Sequence, residues 1–198
     1  MDVTFAQSAF PPLALGFFGL GTGYLIYGPQ ELIGYPPRDE RVDRAVGVWG
    51  IWMPGLCQLV TGLILFVGLA WFQVFTKAAP LYMAALAFSA YGIHWFAIGW
   101  NRYRGNDPRP NAGMCVAYMV ISAMGAQVFF VAKDWPVGLL FLGLFAIYFF
   151  DFFASFGSVI GRIGERGLGL FHVLTGGWLM YLAYATAVDF AIGYHWRI

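Results

Sequence analysis

Charge is what this sequence has least of. Only 11% of its 198 residues are Asp, Glu, Lys or Arg, where a soluble domain carries about 25%. So little charge cannot cover a water-facing surface, which excludes an ordinary soluble globule. The formal net charge of +1 supplies no basic patch, so no nucleic-acid partner is expected. Cysteine is scarce too. Cys57 and Cys115 both lie in apolar stretches, without a CxxC pair or a His/Cys cluster. That excludes a disulfide framework or a zinc site and leaves two small core residues. The start, Met1-Asp2-Val3, has no basic n-region, so no cleavable signal peptide is expected. No lysine falls in the middle of a long apolar stretch, no histidines pair at haem or metal spacing, and no nucleotide motif occurs. Neither an enzyme nor a cofactor or metal is expected from such a chain.

What is there is apolar. Hydrophobic residues make up 60% and aromatics 20%, and the mean hydropathy is +0.68. A membrane-spanning helix needs about 20 apolar residues, and the gaps between charges are long enough for six. They predict helices over 11–27, 46–72, 79–100, 112–132, 136–156 and 168–190, in one domain covering 1–198. The stretches are apolar all round and about twice the length of a barrel strand, so helices are expected rather than a closed barrel. The fold class is therefore all-α, a polytopic six-transmembrane-helix bundle in a plasma (inner) membrane. The first, third and fifth connections carry Arg38, Arg41, Arg44, Arg102, Arg104, Arg109, Arg162 and Arg166, against Lys77, Lys133 and Arg197 on the other side. The positive-inside rule then places the odd connections in the cytoplasm and both termini outside.

Small residues crowd several helices, among them Gly16, Gly19, Gly21 and Gly23, Gly62, Gly176 and the pair Gly157 and Gly161. In lipid, such residues let backbones approach. A tightly packed bundle is expected, with no wide aqueous vestibule and with room only for a small solute. The few polar residues in the apolar zone carry the functional information, because they are costly there and usually face the bundle interior. Ser89, Tyr91 and His94 cluster in the third helix. Tyr91 and His94 are three apart, hence on one face. A phenol and an imidazole there suit a carboxylate or a proton, or simply a structural hydrogen-bonded pair. Asp151 is the one acid in mid-span and is a candidate proton site, a partner for His172, or an interhelical contact.

Three stretches resemble the acetate uptake transporters. Pro12-Leu13-Ala14-Leu15 followed by Phe18-Gly19 resembles that family's opening Asn-Pro-Ala-Pro-Leu-Gly-Leu. Pro54-Gly55-Leu56-Cys57-Gln58-Leu59-Val60-Thr61-Gly62 resembles its Gly-Gly-x-x-Gln-x-x-Ala-Gly. Phe88-Ser89-Ala90-Tyr91-Gly92-Ile93-His94-Trp95 resembles its Phe-x-Ser-Tyr-Gly-x-Phe-Trp, with His94 where the family has phenylalanine. The opening asparagine is replaced near Phe10, and Ala14 and Pro54 stand where the family has glycine.

The resemblance implies transport of a small monocarboxylate such as acetate, as a channel or proton-coupled symporter. It also implies a homohexamer in the bilayer, each protomer with its own path. Phe18, Tyr91 and Leu144 would form the constriction. Ser89, His94, Asp151 and His172 would touch substrate or proton, and Gln58 would line the path. Tyrosine and serine hydroxyls would donate to the carboxylate. The family's termini are cytoplasmic, opposite to the charge count.

The connection Asn101-Arg102-Tyr103-Arg104-Gly105-Asn106-Asp107-Pro108-Arg109-Pro110 resembles instead the Asn-x-x-x-Gly-x-Asp-x-Arg-Pro of the acid-gated urea channels and amide transporters. A urea or amide channel is therefore the alternative, and a non-transporting scaffold or sensor subunit the third reading.

Overall fold

The computed structural model describes residues 12–75 and 79–192. Asp2, Phe10, Pro11, Lys77 and Arg197 lie outside them. Among the described residues the chain forms six helices and no strand. They are α1 (Leu13–Ile33), α2 (Glu40–Trp71), α3 (Ala79–Arg104), α4 (Asn111–Val131), α5 (Trp135–Ala154) and α6 (Ser158–Ile192). Five of them, α2 to α6, are long and apolar enough to cross a membrane. The protein is an all-α, multi-pass membrane bundle. α1, at 21 residues, matches α4 and α5 in length, but glycine, tyrosine and Gln30 dilute its apolar character. Those residues face the other helices rather than lipid: Gly16, Gly19, Gly23, Tyr24, Tyr27 and Gln30 are all buried.

Three helices extend six or more residues past the bounds read from sequence, each for a local reason. α1 does not stop near Pro29 but continues through it to Ile33. It ends in an αL C-cap, with Gly34 left-handed (φ 74°), its N–H on Gln30 O, and the Tyr35 N–H reaching back to Pro29 O. α2 begins at Glu40, where Asp39 caps it by accepting from the Arg41 and Val42 N–H groups at 2.8 and 2.9 Å. α6 begins ten residues before Leu168 and runs for 35 residues. That is about 52 Å of helix against a hydrocarbon core of about 30 Å, so its first turns project beyond the core. They carry Glu165, which pairs with Arg38 at 2.7 Å. Gly157, read above as half of a packing motif with Gly161, sits exposed in the break between α5 and α6 at φ 62°.

α2 widens into π-helical turns at Ile51–Leu56 and Val67–Trp71. The first contains Pro54, whose missing N–H a regular ladder would require. Pro54 packs into the space that α1 leaves at Gly23. α2 and α3 approach backbone to backbone. A Cβ on Gly92 would strike the Leu59 backbone, and one on Gly62 would strike the Ser89 backbone. α6 lies against α1 in the same way, since a Cβ on Gly169 would strike the backbone of Glu31 and Leu32.

The connections α1–α2, α3–α4 and α5–α6 lie at one end of the bundle, the arginine end. The starts of α1, α3 and α5 lie at the other. Arg102 and Arg104 close the last turn of α3, where cations complement the helix dipole.

Candidate functional site

Two cavities enter the bundle from opposite ends, where a tight bundle without a vestibule was expected. The polar cavity, of about 340 Å³, opens at the arginine end and is lined by Glu31, His94, Arg102, Tyr148, Asp151 and His172 among others. The apolar chamber, of about 260 Å³, opens at the far end between Phe17, Gln58, Phe88, Tyr91 and Leu144, with Asp134 at its rim. The layer between them is aromatic. Tyr91 faces the chamber, Tyr148 faces the polar cavity, and their rings stack at 5.8 Å with 13° between planes. Leu144, 1% exposed, sits one helical turn from Tyr148 on α5.

The hydroxyl of Tyr91 has a fixed role. Ser122 has one proton, and it donates this to Tyr118 O at 2.7 Å. The 3.0 Å contact between Tyr91 Oη and Ser122 Oγ is therefore a donation from Tyr91. The Tyr91 oxygen then offers the chamber an acceptor only. This corrects the expectation that Tyr91 donates to a carboxylate. Gln58 reaches the same chamber from α2. It is 0% exposed, and neither its oxygen nor its nitrogen has a partner within the protein. Leaving a buried amide unpaired costs about 1–3 kcal/mol, so this side chain is poised for something that enters. Asp134 caps α5 by accepting from the Val137 N–H at 3.3 Å, and burial pushes its carboxyl above the ordinary range.

In the polar cavity Glu31 and His172 are hydrogen-bonded, with Oε2 and Nδ1 2.5 Å apart and both side chains nearly enclosed. Tyr24 stacks on the His172 ring at 4.5 Å. The pairing of His172 with Asp151 considered from sequence is not made. Asp151 instead accepts from Cys115 Sγ at 3.3 Å, which gives the buried cysteine a polar partner. His94 Nδ1 lies 3.4 Å from Tyr148 Oη, and its Nε2 is buried without a partner. Trp95 Nε1 and Tyr27 Oη on the same cavity are likewise unpaired. At the mouth, Arg102 donates from Nε and Nη2 to Asp43 Oδ1 at 3.1 and 3.0 Å and covers the Tyr27 ring at 4.7 Å. In the nearby connection, Arg109 holds the Asp107 carboxyl down to about 2 through direct hydrogen bonds.

The structure gathers Tyr91, Leu144 and Gln58 at one cavity and His94, Asp151 and His172 at the other. Tyr91 and His94, one turn apart on α3, are thus divided between the two. Two residues leave the site. Phe18 is 49% exposed on the outer face of α1, and its neighbour Phe17, 4% exposed, lines the chamber against Phe88. Ser89 lies in the α2–α3 seam against Gly62 and lines neither cavity. Two residues were missed, Glu31 and Tyr148. The spacing Tyr24, Tyr27, Glu31 does place a carboxylate on one helical face, a signal hidden by ending the helix before Pro29. Among the described residues, no group of acids, histidines and cysteines is arranged to hold a metal ion.

No family model matches the sequence, and no curated protein matches it. A solved structure does match, described as that of the bacterial acetate channel SatP. The TM-score is 0.71 at 16% sequence identity, over 94% of this chain and 96% of that one. At that identity the likeness is one of fold: this chain and that channel share the helical bundle in which the two cavities lie.

Proposed function

We propose that this protein passes a small monocarboxylate, acetate or a close relative, across a plasma (inner) membrane. The path runs from the apolar chamber through the Tyr91–Leu144–Tyr148 layer to the polar cavity. The observation that carries this reading is the pair of cavities meeting at one aromatic layer, within a fold shared with an acetate channel. An apolar ring of this kind holds back bulk water while admitting a small solute. Phe17 takes the place that sequence gave to Phe18. The charge count supports a cytoplasmic arginine end. Assembly as a homohexamer belongs to the same proposal, with exposed apolar side chains such as Trp52 and Phe72 available for the protomer contacts.

The test is tracer flux into proteoliposomes, acetate beside urea, with protein-free vesicles subtracted. Saturable acetate entry that leaves urea outside supports the reading. Urea entry without acetate replaces it with the urea-channel reading, and movement of neither points to the scaffold or sensor.

A further inference from the structure

The apolar chamber carries its one acid at the mouth. In its described lining Asp134 is the sole Asp or Glu, and no Lys, Arg or His accompanies it. α1, α2, α4 and α6 contribute no titratable side chain, and α3 contributes only the Tyr91 phenol. Lys133, next in the turn, is exposed and lies outside the lining. Among the described residues no cation comes within ion-pair distance of Asp134. Burial works against its charge, but the Val137 N–H at 3.3 Å and the positive start of α5 favour the ionised form. Apolar walls of low dielectric focus such a charge along a cleft instead of screening it. A solute with one carboxylate meets this repulsion once and lays its alkyl part on apolar wall. A solute with two meets it twice. Its second carboxylate also finds apolar wall where it needs water or a cation, which makes its burial costly.

We infer that Asp134 is a specificity-determining residue at the chamber mouth, a fixed negative charge that turns away dicarboxylates and leaves the chamber to acids with a single carboxyl group. This rests on the monocarboxylate reading above. Asp134 also caps α5, and the two roles separate by substitution. Asn caps as well as Asp but carries no charge. Glu keeps the charge on a longer side chain outside the set of good caps.

The experiment uses the full chain in proteoliposomes and reads inhibition of acetate uptake at neutral pH. The two competitors are malonate and its monoamide, malonamate, which match in size and differ by one negative charge. Each is present on both sides of the membrane. Discrimination is the ratio of the two half-inhibiting concentrations, malonate over malonamate. That ratio should stand well above one in the unmodified protein and fall about 3- to 10-fold in Asp134→Asn. In Asp134→Glu it should stay within about twofold. An unchanged ratio in Asp134→Asn overturns the inference, and so does an equal fall in Asp134→Glu, which would assign the effect to the cap. Should the variants fail to fold, salt decides on the unmodified protein. Raising the ionic strength from about 10 mM to about 150 mM shortens the screening length from about 30 Å to about 8 Å, and the ratio should fall. A ratio indifferent to salt overturns the inference. Absence of any acetate uptake in the unmodified protein removes the monocarboxylate reading itself, a result distinct from uptake whose inhibition ignores the second charge.

Discussion

The two cavities are built from opposite chemistry although the same helices line both. The apolar chamber offers one unpaired amide, the hydroxyl oxygens of Tyr91 and Thr186 and the rim acid Asp134 among aromatic and aliphatic walls. The polar cavity offers a buried acid–imidazole pair, the further acids Asp43, Asp151 and Glu165, and three unpaired polar atoms, on Tyr27, His94 and Trp95. The difference comes from depth along each helix. On α3, Tyr91 and His94 share a face but line different cavities. On α5, Leu144 and Tyr148 do the same, with Asp151 a further turn on. One turn of helix, about 5.4 Å, thus separates the lining of the apolar chamber from that of the polar cavity.

Tyr91→Ala should break the comparison most completely, because it removes the wall on the chamber side. Carboxylic acids longer than acetate should then cross, seen as entry of butyrate in the flux assay, and emptying a fully buried aromatic site should cost about 3–5 kcal/mol of stability. Retained discrimination against butyrate would remove Tyr91 from the constriction.

Glu31→Ala acts on the polar cavity alone. It leaves His172 buried without its partner, a loss of about 3 kcal/mol, read as a fall in the unfolding midpoint in detergent. A double-mutant cycle with His172→Ala should return most of that loss as coupling. Independent, additive effects would show that the pair contributes nothing to the fold.

Phe17→Ala and Phe18→Ala sharpen the boundary of the chamber. The first should weaken acetate uptake several-fold, and the second should change it by less than about twofold, as expected for an exposed surface position. Ser89→Ala belongs with the second. Reversal of the Phe17 and Phe18 effects would mean that α1 is rotated relative to the fold described here.

The smallest effect is expected in the α3–α4 connection. Asp107 is held at about 2 by Arg109, below the ordinary carboxylate range of about 3.9. A depressed value means that the pair's contribution is fully present above that ordinary range and is lost only as pH falls through about 2. Limited proteolysis of the connection should therefore be the same at pH 7 and at pH 4. Enhanced cleavage at pH 4 would show that the pair does not hold the loop.

Much of this fold can be read from charge spacing. The absence of charge between Arg44 and Lys77 fixes α2 as a spanning helix, and Lys133 and Asp134 fix the turn between α4 and α5. Residue type also marks much of the site. Gln58, His94, Asp151 and His172 stand out because polar groups in an apolar stretch are costly and persist only where they have work or partners. Which partner each has is a different matter. Phe17 and Phe18 are identical in chemistry and adjacent in sequence, and only the packing of α1 on α2 and α3 turns one inward and the other outward. His172 had one plausible acid in Asp151. It meets Glu31 instead because Gly169 lets α6 close on the last turn of α1, while Cys115 on α4 satisfies Asp151.

The sequence by itself determined that this is a six-helix membrane bundle and which side chains are too polar to sit idle within it, because hydropathy and helix period are properties of consecutive residues. The tertiary structure alone decided that these side chains divide into two cavities, that Glu31 belongs to one of them, and that Gln58 is left unpaired in the other. Those outcomes depend on which helices touch and at what depth, and such contacts join residues far apart in the chain.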